Sequence, residues 1–105
     1  MKTPTKVIKN GKVAVLISPG FGAGWSSCAG NDTNNFLLFD AGLVSRVNEA
    51  AEKVEAWLKQ QGIEPPYMGG WDKTEVQWVP QGELFYVNEY DGAEHIVFQS
   101  EFIRA

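Results

Sequence analysis

The run Lys12-Val13-Ala14-Val15-Leu16-Ile17 limits the fold more than any other stretch of this chain. It is nearly all apolar and rich in β-branched residues. Side chains alternate between the two faces of a strand, so such a run reads as a central strand covered on both sides. Asn10-Gly11, immediately before it, is a strong turn signal. Thr5-Lys6-Val7-Ile8-Lys9 is therefore expected to pair with it across that turn. With 105 residues there is room for one domain spanning residues 1–105, in which residues 1–11 form an N-terminal arm or the first strand.

Downstream, Phe36-Leu37-Leu38-Phe39 reads as a short buried strand or an extended entry to a helix, and Asp40 is a good N-cap. Leu43, Val47, Ala50, Ala51, Val54 and Leu58 follow at helical spacing. Glu49–Lys53 and Glu55–Lys59 are i,i+4 pairs on the outer face. Gly62 suits the C′ position, and Pro65-Pro66 prevents continuation. One long amphipathic helix is thus expected from about Ala41 to Gln61. Glu75 to Val79 reads as a strand with Val76 and Trp78 on one face. A turn at Val79-Pro80-Gln81-Gly82 leads to a strand from Glu83 to Tyr90. Asp91-Gly92 is a type I′ hairpin signal, and Ala93 to Phe102 closes the sheet. The expected fold class is α+β, with the one long helix packed on a small antiparallel β-sheet.

Between the first sheet strands and the helix, Ser18 to Asn35 shows no periodic pattern. It contains Pro19-Gly20-Phe21-Gly22-Ala23-Gly24-Trp25-Ser26-Ser27. Glycines let backbone N–H groups approach an anion closely, the rings can stack on a base or sugar, and the hydroxyls can complete a polar cradle. It is not a Rossmann fingerprint, because no helical pattern follows, and no Gly-Lys-Ser/Thr makes it a P-loop. The other reading is a loop folded over the sheet edge with Trp25 plugging the core. Tyr67 and Trp71 beside Gly69-Gly70 echo the first loop, and the two loops could form opposite walls of a pocket or a subunit contact.

A two-residue turn at Asp91-Gly92 places Tyr90 opposite Ala93 and Glu89 opposite Glu94. Like charges directly opposite are unfavourable. The acid pair therefore calls for solvent, a shared proton, a cation or a hydroxyl-bearing ligand. Gly20 to Ser27, Trp71, Glu89, Tyr90 and Glu94 are accordingly the candidate ligand-binding residues.

Composition removes several function classes. Lys2, Lys6, Lys9 and Lys12 are four of the nine cations; from Val13 onward five cations face thirteen acids. That acidic body argues against binding long nucleic acid. No apolar run approaches the ~20 residues needed to span a bilayer, and the start has no signal-peptide core. One Cys and one His cannot build a zinc site. Nothing in the sequence brings Cys28 and His95 together as nucleophile and base. The expectation is a cytoplasmic protein that is not an enzyme, with no catalytic residues, no metal and no cofactor.

With Ser18 to Ser26, Trp78 to Gly82 and Glu89 to Glu94 read, the chain resembles a group of small proteins carried by bacteriophages and prophages. Those share an SPGxGAGWS segment, one helix and a closing EYDGxE hairpin; the likeness covers Val13 to Phe98. Many small phage proteins counter bacterial immunity, some as sponges that bind a nucleotide second messenger without cleaving it. The resemblance implies such a role in the host-cell cytoplasm, with a cyclic nucleotide or an ADP-ribose derivative as ligand. No arginine or lysine lies in either motif, so backbone amides at Gly22 to Trp25 would carry the phosphates, with Lys73 or Arg46 as side-chain help. A protein-binding inhibitor of a host factor, using exposed aromatics and the acidic surface, is the competing class. A domain this small has little depth for a nucleotide pocket, which points to a homo-oligomer, a dimer or a dimer of dimers.

Overall fold

The structure, a computed structural model, describes residues 3–20, 24–28 and 31–99. The central strand is where the sequence puts it. β1 (Ile8–Lys9) and β2 (Lys12–Ile17) pair antiparallel across Asn10-Gly11. Both turn residues have positive φ, 52° and 74°, as a type I′ turn requires. β3 (Glu75–Pro80) pairs along the other edge of β2, so the sheet order is β1-β2-β3. Val13 through Ile17 are all buried.

Two cores lie on the two faces of β2. On one, Leu16 packs with Trp25, Phe36, Leu37, Leu43, Val54, Leu58, Ile63 and Trp71. On the other, Val15 and Ile17 pack with Leu38 and Val79, under Phe39, Phe85, Val87, Ile96 and Phe98. The last four of these come from the hairpin of β4 (Phe85–Tyr90) and β5 (Ala93–Phe98), which is a separate two-stranded sheet. Its Asp91-Gly92 turn again has positive φ at both residues, 50° and 82°.

The expected single sheet is therefore corrected to two, and the single long helix to three short ones. α1 (Asn31–Phe39) occupies the stretch expected to be loop and strand. Its run Phe36-Leu37-Leu38-Phe39 divides between the two cores, two residues to each. Apolar residues facing both ways erase the one-sided periodicity by which a helix is recognised, and a short apolar run then looks like a strand.

The expected helix 41–61 is split into α2 (Ala41–Val44) and α3 (Ala51–Gln60). Ala50 between them is extended, with ψ 146°. In a continuous helix the Glu49 carbonyl would accept from the Lys53 N–H. Here it accepts from the Trp71 indole Nε1 at 2.8 Å, and Lys53 N–H turns to the Ala50 carbonyl at 3.0 Å. A buried Trp N–H must find a partner, and Trp71 finds it in the backbone at the break. The ends behave as the sequence indicates. Asp40 caps α2 by accepting from Gly42 N–H at 2.9 Å. Gly62 has φ 76°, and Gly62 and Ile63 N–H donate to the Lys59 and Leu58 carbonyls, a Schellman closure. Glu55 and Lys59 form an ion pair at 3.7 Å; Glu49, outside α3, forms none with Lys53 among the described residues.

β3 and β4 do not pair. Gly82 (φ 85°) turns the chain after Pro80, with Glu83 N–H donating to the Pro80 carbonyl. The hairpin then lies across the second face of β2 instead of extending the sheet edge. That arrangement packs the partly buried Phe85, Val87, Ile96 and Phe98 against Val15 and Ile17, which edge pairing would leave uncovered.

Candidate functional site

The glycine-rich loop is organised by one side chain. Glu94, 1% exposed, reaches from β5 into the loop. Its Oε1 accepts from Ser18 N–H at 2.9 Å. Its Oε2 accepts from Trp25 N–H at 2.7 Å, from Ser27 N–H at 2.9 Å and from the Ser27 hydroxyl. Glu94 N–H in turn donates to the Ser18 carbonyl at 2.9 Å. Converging backbone donors of this kind form an anion-binding nest. The anion in this nest is the protein's own carboxylate, carried by the hairpin.

The acid pair at that hairpin is in the expected register, Glu89 opposite Glu94. The two carboxylates take different partners. Glu94 turns into the nest, while exposed Glu89 closes its own turn by accepting from Gly92 N–H at 2.9 Å.

The sequence-derived candidates fall into separate places. Trp25 is wholly buried, donates from Nε1 to the Leu37 carbonyl at 2.7 Å, and packs on Trp71 with ring centroids 4.9 Å apart. Trp71 is 1% exposed. The two loops thus do meet through their tryptophans, inside the core. Gly24 is buried with φ 123°. Gly20 lies against the aliphatic stem of Lys73. Ser26 is buried, Ser27 exposed, and Tyr90 is 70% exposed at the hairpin tip. Phe21, Gly22 and Ala23 lie outside the described residues. Arg46 is engaged at the helix break, donating from Nη1 to the Gly42 carbonyl at 2.7 Å with its guanidinium 4.5 Å from the Trp57 ring.

Of the candidates, Ser26 and Ser27 border a cleft, of about 420 Å³. Asn35 of α1 adds an amide to its rim and Tyr86 of β4 borders it; Leu38, Phe39, Phe85 and Val87 make an apolar floor. Phe39 and Phe85 meet edge to face at 6.1 Å, and the Lys6 ammonium sits 4.6 Å from the Phe39 ring centroid. Asn35, Leu38, Phe39, Phe85 and Val87 carry no site signal in the sequence. α1 and β4 are far apart in the chain, and only the stacking of the hairpin over β2 makes them neighbours. No group of three or more His, Cys, Asp or Glu that could hold a metal occurs among the described residues. No helix among them is long and apolar enough to cross a membrane. Neither a family model, nor a curated protein, nor a solved structure matches the chain.

Proposed function

We propose that this chain is a non-enzymatic binding protein for a small nucleotide-type ligand, acting in the cytoplasm as the sponge that its motif resemblance implies. The observation that carries the reading is the cleft between α1 and β4, at the Ser26–Ser27 end of the glycine-rich loop. Its volume of about 420 Å³ suits a small organic ligand. Rings and aliphatic groups on the floor suit a nucleobase. The Ser27 hydroxyl and Asn35 amide on the rim suit ribose hydroxyls, and Lys6, which lies over the Phe39 ring beside the lining, offers a cation for a phosphate.

The test is to incubate the protein with candidate nucleotides, remove free ligand, denature by heat and analyse what is released. Intact nucleotide is expected. It should be lost in Asn35→Ala, whose side chain is exposed enough to remove without unfolding. Release of altered nucleotide would make the protein an enzyme. No retention by the wild type would sink the reading and favour an inhibitor that binds a host protein. That second reading has its own observation: Leu84, just before β4, and Tyr86 and Tyr90 within it are 65%, 49% and 70% exposed at alternating positions, apolar surface suited to a protein partner.

A further inference from the structure

A second concave surface lies on the β1-β2 hairpin of the first sheet. Lys9 and Lys12 are directly opposite each other in the β1-β2 ladder, so their side chains leave the same face. Lys12 pairs with Pro80 and Ala14 with Trp78, which puts Trp78 on that face as the diagonal neighbour of Lys12. The Lys9 ammonium is 5.9 Å from the Trp78 ring centroid. These three residues and Asn10 line a hollow of about 370 Å³. Gln81 N–H donates to the Gly11 carbonyl at 2.8 Å, which ties the turn to the end of β3 and fixes the lysines relative to the ring.

Two features of this face are met only in part by the Lys9–Trp78 contact. Like charges directly opposite in a ladder repel, yet neither Lys9 nor Lys12 has a carboxylate partner among the described residues. Trp78 is 41% exposed, whereas Trp25 and Trp71 are buried. A chain whose residues after Lys12 carry five cations against thirteen acids gathers its positive charge at this end. An anion between the lysines would relieve their repulsion, and a flat ring on Trp78 would cover the exposed indole.

We infer that the Lys9–Lys12–Trp78 face binds a nucleobase that carries an adjacent phosphate. The base stacks on Trp78 and the phosphate lies between the two ammonium groups. This site is separate from the cleft of α1 and β4 and does not rest on the reading of that cleft. A free nucleotide and the 5′-phosphorylated end of a single strand offer the same chemistry, so both are used as probes.

The experiment follows the tryptophan indole N–H signals by NMR during titration with AMP, with adenosine, and with a short 5′-phosphorylated oligo(dA). The Trp78 signal, assigned from its absence in Trp78→Leu, is expected to move saturably with AMP. Loss of the phosphate, or the double change Lys9→Gln with Lys12→Gln, should weaken binding by about tenfold or more, and Trp78→Leu by a similar factor. Tighter binding of the oligonucleotide than of AMP would assign the source as a strand end, and the reverse as a free nucleotide; either supports the site. A Trp78 signal that stays fixed up to millimolar AMP and oligonucleotide, or equal affinity for adenosine and AMP, would overturn the proposal. The Asn35 side-chain amide reports the cleft in the same spectra. Movement there with Trp78 silent would remove this site and leave the cleft standing; movement of Trp78 alone would do the reverse.

Discussion

Replacing Glu94 by Gln keeps the shape of the side chain and removes what the loop is built around. The best-placed glutamine keeps its oxygen at the Oε2 position, facing Trp25 N–H, Ser27 N–H and the Ser27 hydroxyl. Its NH2 then points at Ser18 N–H, donor against donor. Ser18 is fully buried, so its N–H loses its acceptor with no water to replace it, at a cost of about 1–3 kcal/mol. The three remaining bonds change from a charged to a neutral acceptor and lose roughly half their strength. The sum is about 3–5 kcal/mol, a large part of the ~5–15 kcal/mol that holds such a domain together. Urea unfolding followed by tryptophan fluorescence measures it. Glu89→Gln is the control: it faces Glu94 in the ladder but is exposed and accepts from its own turn, so its midpoint should stay with wild type. The reasoning also expects acetate to restore part of the stability of Glu94→Ala by entering the emptied nest. A loss below about 1 kcal/mol in Glu94→Gln, within the range of ordinary surface changes, would refute the view that this carboxylate organises the loop.

Trp25→Ala should cost about 3–5 kcal/mol through the cavity left beside Trp71 and the lost bond to Leu37; thermal unfolding by circular dichroism checks it, and a fully stable variant would place Trp25 outside the core. Gly42→Ala puts a methyl 2.5 Å from Trp57 Cζ2 and 2.9 Å from Asp40 Oδ2, so a loss of about 1–3 kcal/mol is expected from the same assay. The functional species is expected to be a dimer or a dimer of dimers, which light scattering behind size exclusion measures; a monomeric mass with ligand binding intact would refute the need for a second copy.

Local chemistry was legible wherever neighbouring residues decide the outcome. Asn10-Gly11 and Asp91-Gly92 demand positive φ, and both turns form; the pairing across Asp91-Gly92 is as expected, while only Ile8 and Lys9 of the expected strand Thr5 to Lys9 pair across Asn10-Gly11. Gly62 ends α3 because only a residue tolerant of positive φ completes the closure there. The apolar run of β2 announced a strand covered on both faces, and it has two cores. What the sequence could not show depends on partners distant in the chain. Trp71 draws the Glu49 carbonyl out of the helical ladder from 22 residues away, and so divides a segment whose apolar spacing is helical throughout. α1 has no legible helical stripe because its apolar residues serve two cores at once. The acid pair was placed correctly in register, but its partners were set by folding: Glu94 enters the glycine-rich loop from 67 residues beyond Ser27. Backbone donors in a glycine-rich loop predict an anion. Whether that anion is a ligand or a side chain of the same chain is decided by packing, because only packing determines which carboxylate arrives there already desolvated.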